Sequence, residues 1–168
     1  MTDDEVQYGI TDDFDAVAVS DGIAVRMTDN VAETLTEMMR QLLRLLEDDR
    51  VEPRGRFRRG RSPEAVLRDM FPDAYRDRRE AQSFRQRHAR VLRDTAAVRR
   101  VRDRVVAGTT HVIDQAEIDD WIIALGLSRF LFERRNARKT NELGCWISHV
   151  QAMLAATINP RLTGLHRD

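Results

Sequence analysis

Between Thr28 and Glu47 leucines and methionines return every three or four residues: Leu35, Met38, Met39, Leu42, Leu43, Leu45 and Leu46. That period puts them on one side of a helix and leaves the other side polar. Such a stripe has to be covered, because a single helix of this length is marginal in water. The same demand recurs along the chain. Ile118, Trp121, Ile122, Leu125, Phe130 and Leu131 make a second stripe, and Leu143, Trp146, Ile147, Val150, Met153 and Leu154 a third. A looser spacing, through Ala81, Phe84, His88, Val91, Thr95, Val98, Arg102 and Val105, predicts one long helix over 78–106. Helix-on-helix packing is the economical way to bury all four, so the expected fold is mainly α.

Local signals set the boundaries. Thr28, Asp29 or Asn30 can cap the first helix. Ser62-Pro63-Glu64 starts a short extra helix, with serine as the cap and proline at the first helical position. Pro72 ends it near Met70-Phe71. Phe71 and Tyr75 are expected to dock this linker on the core. Asp114 and Glu117 form a capping box, and Thr140 or Asn141 opens the last helix. Gly126 interrupts the second stripe and is expected to mark close packing. Ahead of the helices, Asp15–Ser20 and Ile23–Met27 are short β-like runs, with Asp21-Gly22 supplying a hairpin turn. His111–Ile113 is a short extended stretch. A length of 168 residues with 42% hydrophobic content suits one core. The expected organisation is an acidic tail over 1–13, a single helical domain over 14–158 and a C-terminal tail over 159–168. The domain carries the hairpin at 15–27 and an arginine-rich loop at 48–62.

The net charge is zero, which hides an uneven layout. Asp3, Asp4, Glu5, Asp12, Asp13, Asp15 and Asp21 precede the first base. The middle is crowded with arginine, and Lys139 is the only lysine. Guanidinium pairs bidentately with phosphate or carboxylate, so the bias suits recognition of either. A GC-rich genome produces the same bias. The arginines fall in the loop, where Pro53, Gly55 and Gly60 break any regular structure, and on the long helix. The residues expected to bind a partner are Arg54, Arg56, Arg58, Arg59, Arg85, Arg90, Arg93 and Arg100. An acidic protein surface fits them by charge complementarity. Nucleic-acid phosphates are the alternative, and a plainly solvated face is the third outcome. Phe57 is the one aromatic interleaved with the loop arginines, which disfavours single-strand stacking.

No catalytic, cofactor or metal site is legible. Cys145 and His149 share a helix face four residues apart, but a closed zinc site needs four ligands and packing is the simpler role. Asp114, Glu117, Asp119 and Asp120 suit the positive end of a helix dipole. No phosphate-binding loop, dinucleotide fingerprint or serine elbow is present. A single cysteine, Cys145, allows no intrachain disulfide. The acidic start does not resemble a signal peptide, and no apolar run reaches the length of about 18 residues that a membrane span needs. A cytoplasmic protein without membrane association is expected. Phe130-Leu131-Phe132 cannot all face one core, which brings in a second copy of the chain as a partner.

The stretch Ser62-Pro-Glu-Ala-Val-Leu-Arg-Asp-Met-Phe-Pro-Asp-Ala-Tyr75, followed by Arg76-Asp-Arg-Arg-Glu-Ala-Gln-Ser-Phe-Arg85, resembles a known pattern. So do Asp21-Gly22-Ile-Ala-Val, Gln41-Leu-Leu-Arg-Leu-Leu46, Trp121-Ile-Ile-Ala-Leu125 and Trp146-Ile-Ser-His-Val-Gln151. In this order and spacing, over residues 15 to 155, they resemble an actinobacterial family of small proteins catalogued as a domain of unknown function. The family is typically encoded beside the ClpS adaptor and includes the actinomycete oxidative stress regulator. The resemblance implies a non-enzymatic regulator linked to transcription, acting through a protein partner such as a sigma factor or RNA polymerase. A direct DNA-binding regulator and a proteolysis-related adaptor are the alternatives. The chain departs from the family pattern at Gly126–Arg135, and its lone Cys145 excludes redox sensing through an intrachain cysteine pair.

Overall fold

The computed structural model describes residues 14–52, 61–132 and 142–159. Outside them lie the acidic tail, residues 53–60 of the arginine-rich loop with Arg54, Arg56, Arg58 and Arg59, the stretch 133–141 and the C-terminal tail from 160 onward. The described elements, in chain order, are β1 (Phe14–Val19), β2 (Gly22–Met27), α1 (Asp29–Asp48), α2 (Pro63–Met70), α3 (Arg78–Leu92), α4 (Ala96–Arg104), β3 (His111–Ile113), α5 (Gln115–Phe132) and α6 (Glu142–Ile158). The fold is mainly α, with an N-terminal antiparallel hairpin that belongs to a small three-stranded sheet.

α1 is the centre of the core. Leu35, Met39, Leu42 and Leu45 are fully enclosed, and Met38 and Leu46 nearly so. Each such side chain contributes about 1.5–3 kcal/mol by leaving water. α1 packs on α4 and α5, while α5 packs on α4 and α6. The α1 helix stops in a left-handed residue, Asp49, at φ 53°. The Asp49 N–H reaches the Leu45 carbonyl and the Arg50 N–H reaches that of Arg44, both at 3.2 Å. This closes the helix by the usual C-terminal device without a glycine.

The sheet runs in the order β1-β2-β3, antiparallel throughout. The β1–β2 hairpin is closed by Ser20 and Asp21, with Val19 opposite Gly22. The positive φ falls on Gly22, at 150°, and not in the turn itself. Gly22 is needed because β3 crosses it: a Cβ there would lie 2.0 Å from the Ile113 carbonyl oxygen. The His111–Ile113 stretch, expected only as extended chain, is thus a third strand pairing with Ile23–Val25. One face of the sheet, with Phe14, Ile23, Val25 and Met27, joins the helical core. Phe14 meets Trp121 of α5 at a ring separation of 6.2 Å.

The expected long helix over 78–106 is two helices. α3 ends at Leu92 and α4 begins at Ala96. The break is local chemistry: Asp94 Oδ1 accepts the Ala96 N–H at 2.9 Å, and a short carboxylate that bonds its own backbone competes with helix continuation. Beyond the break Val98 and Val101 are buried, as the stripe requires, but before it Val91 is 74% exposed and Ala81 is the only buried residue of α3. Other local signals form as expected. Ser62 Oγ accepts the Ala65 N–H at 3.2 Å with Pro63 at the first helical position. Asp114 and Glu117 cap one another's backbone N–H groups at 2.9 and 3.0 Å. Gly126 lies against α6, where Gln151 Nε2 would be 3.1 Å from an added Cβ and donates to the Ile122 carbonyl at 2.9 Å. Phe132 is buried, and Phe130 and Leu131 pack partly buried on the same core, since α2 also covers this end of α5.

Candidate partner-binding surface

α3 stands at the margin of the fold. Its N-cap is Asp77, whose carboxylate accepts the Arg79 and Glu80 N–H groups at 2.8 and 3.1 Å. It is held mainly by polar ties and one aromatic contact. Arg85 pairs with Asp73 ahead of the helix, and Arg93 pairs at 2.9 Å with Asp49 at the end of α1. Phe84 stacks between Tyr75 and His88, with ring separations of 5.7 and 4.4 Å. Tyr75 docks on α3 and stays 44% exposed, whereas Phe71 packs on the core as expected.

The arginines expected to meet a partner divide accordingly. Arg100, on α4, forms a bidentate pair with Asp120 of α5 at 2.6 and 2.8 Å. Asp120 is only 8% exposed, and its carboxylate holds the Arg100 guanidinium still more firmly in the charged form. Asp120 therefore does more than complement the helix dipole. Arg99 pairs with Glu47, Arg102 with Asp103, and Arg104 with Glu117 while donating to the Val112 carbonyl at 2.8 Å. Arg85 and Arg93 are paired as above, each with its side chain more than a third exposed. Arg90 is exposed and has no ion pair among the described residues. A further network joins Arg40 to Glu37 and to Glu52, and Arg44 to Glu52. There the hydrogen bonds from Arg40 and Gln41 pull the Glu37 carboxyl down to about 2.

Between α2 and α3 runs an open groove of about 450 Å³. α2 contributes Glu64, Leu67, Arg68 and its C-cap Phe71, and α3 contributes Arg85, Gln86, Ala89, Leu92 and its C-cap Arg93. On each helix these positions follow a three-four spacing, so each turns one stripe toward the gap. Sequence reasoning named Arg85 and Arg93 but missed the groove they border. The available signal was Leu67 and Phe71 one turn apart on a short helix. A smaller cavity of about 240 Å³ lies over Trp121 and is bordered by the Arg100–Asp120 and Arg104–Glu117 pairs.

A family model described as a domain of unknown function, DUF2017, matches residues 12–142, which takes in the sheet, the groove and α5. The chain belongs to this family. No curated protein and no solved structure matches it. In this DUF2017 chain Cys145 and His149 are both exposed on the outer side of α6. Among the described residues no three histidine, cysteine or acidic side chains gather as metal ligands, and no helix is long and apolar enough to cross a membrane. The acidic residues opening α5 are each engaged: Asp114 and Glu117 in the cap, Asp120 with Arg100, and Asp119 with Gln115.

Proposed function

We propose that the protein is a cytoplasmic, non-enzymatic regulator linked to transcription, and that it works through a protein partner such as a sigma factor or RNA polymerase. The observation that carries this is α3: a helix of 15 residues that buries only Ala81 and presents Arg85, Arg90 and, at its C-cap, Arg93 beside a groove that no described residue fills. A helix with so little packing of its own is maintained at a cost that a docking role explains. The narrower likeness to the ClpS-neighbouring family with its oxidative stress regulator supplies the transcriptional link as part of this proposal.

A protein partner is favoured over DNA by the state of the α4 arginines. Arg99, Arg100 and Arg104 already face carboxylates of this chain, so phosphates would have to displace them. The test is gel filtration of the full chain with purified RNA polymerase core, holoenzyme and isolated sigma factors. Co-elution is expected, and it should be lost in the Arg85→Glu, Arg90→Glu, Arg93→Glu variant, with circular dichroism checking that the variant folds. Absence of co-elution with any of these proteins, together with a duplex-DNA mobility shift that fades steeply with salt, would replace this reading by direct DNA binding.

A further inference from the structure

The groove between α2 and α3 has an apolar floor, an exposed cationic border and, within the described chain, no occupant. We propose that it receives an acidic amphipathic helix of the partner protein, with aliphatic anchors on the floor and carboxylates against the arginines. This rests on the binding-protein reading above and narrows it to one surface and one partner chemistry.

Shape points to a helix. Leu67 of α2 and the C-cap Phe71 lie one turn apart, and Ala89 and Leu92 lie one turn apart on α3. Two helices that turn such stripes to a shared gap leave room for the side chains of a third, which is the helix-in-groove mode of recognition with anchors at i, i+3, i+4 and i+7. Charge points to an acidic one. Arg68, Arg85 and Arg93 line the groove with Glu64; Arg85 and Arg93 also hold Asp73 and Asp49, both at exposed positions. Arg68 is exposed and has no ion pair among the described residues. Arg85 reaches Asp73 through one terminal nitrogen of its guanidinium, and its side chain stays more than a third exposed. Carboxylates beside the anchors of an incoming helix would meet these donors in a setting partly shielded from water, where charge-assisted bonds are strongest. A nucleic-acid strand would use the arginines but leave Leu67, Phe71 and Leu92 without a role.

The full chain, labelled with nitrogen-15, is titrated with a synthetic helical peptide that has leucine at i, i+3, i+4 and i+7 and glutamate elsewhere. Amide shifts are expected on α2 and α3. Ala89→Trp fills the groove from an exposed position outside the core, and it should weaken binding by about tenfold or more, as should Arg68→Glu. The same peptide with lysine in place of glutamate should leave the spectrum unchanged. Shifts elsewhere on the molecule, unaltered affinity in Ala89→Trp, or equal binding of the lysine peptide would overturn the proposal. So would tighter binding at the groove by duplex DNA or by a peptide of residues 1–13, and so would a solution dimer that protects α3. Co-elution with RNA polymerase that survives Ala89→Trp would keep the regulator reading and discard the groove. Peptide binding without any polymerase contact would keep the groove and discard the transcriptional link.

Discussion

Two glycines with positive φ differ in what surrounds them, and that difference should be measurable. Gly22 sits beneath the Ile113 carbonyl, where a Cβ has backbone in its way, whereas Gly108, at φ 73°, has open space around it. Gly108→Ala adds only the strain of the left-handed conformation, about 1–2 kcal/mol. Gly22→Ala must also push β3 off β2, and overpacking of that kind costs about 1–3 kcal/mol further. Urea unfolding of the two variants should therefore rank Gly22→Ala as clearly the less stable; equal midpoints would mean that β3 yields freely. His111, on the same strand, offers a pH test. Burial pushes its imidazole below the usual 6.5, helped by the Arg104 charge and opposed by the Thr109 backbone and Glu117. The unfolded chain takes up the proton first as pH falls, so the stabilising contribution is whole above about pH 6.5 and is lost on descending through the folded value. His111→Gln should flatten the fall in stability that sets in as pH drops below about 6.5, relative to the parent. A parallel decline in both proteins would place the titration elsewhere.

At the level of elements, what could be read from the sequence was local. The α1 stripe, the Ser62-Pro63 start and the Asp114/Glu117 cap each lie within a few residues, and each forms as its chemistry dictates. What escaped involves either competition or distance. The three-four spacing runs unbroken through Arg93, Asp94 and Thr95, so periodicity alone could not show that Asp94 would bond Ala96 and divide the helix. β3 pairs with a strand more than 80 residues earlier, and Arg99 with Glu47 across 52 positions, separations no local pattern encodes. The groove was hidden for the same reason, since its two walls belong to helices that look unrelated in sequence. The division of 78–106 has a dynamic consequence. α4 is clamped by α1 and α5, whereas α3 rests on Ala81, one ring stack and two exposed ion pairs. Segments with few buried contacts open locally at low cost. Hydrogen exchange should therefore show α3 amides exchanging far ahead of α1 and α4, with Asp49→Ala speeding the C-terminal turn of α3 most. Protection of α3 equal to that of α1 would contradict this.

Across the whole molecule the arginines act as a lattice of links between elements. Arg99–Glu47 joins α4 to α1, Arg93–Asp49 joins α3 to the end of α1, and Arg100–Asp120 and Arg104–Glu117 join α4 to α5. Apart from Arg100–Asp120, whose carboxylate is buried, these pairs are exposed and individually weak, but together they explain how a chain with 28 basic and 28 acidic residues tolerates its crowded middle. The balance exists only while the carboxylates are ionised. Glu37, held down to about 2, is stabilising in its charged form: its contribution is present above the unfolded value of 4.5 and is lost as pH falls toward 2. Most carboxylates give up their charge near about pH 4, after which the arginines, still protonated, have only one another. Salt should then act with opposite sign on the two sides of that point. Near neutrality it screens attraction between partners and lowers the melting temperature slightly, whereas in acid it screens repulsion among guanidinium groups and raises it. Calorimetry at low and high sodium chloride, at about pH 7 and about pH 3, reads both signs directly. A rise with salt at neutral pH would mean that arginines with no ion pair among the described residues, such as Arg68 and Arg90 beside the groove, dominate the field even when every acid is charged; the carboxylates of an incoming helix would then relieve that repulsion as they dock.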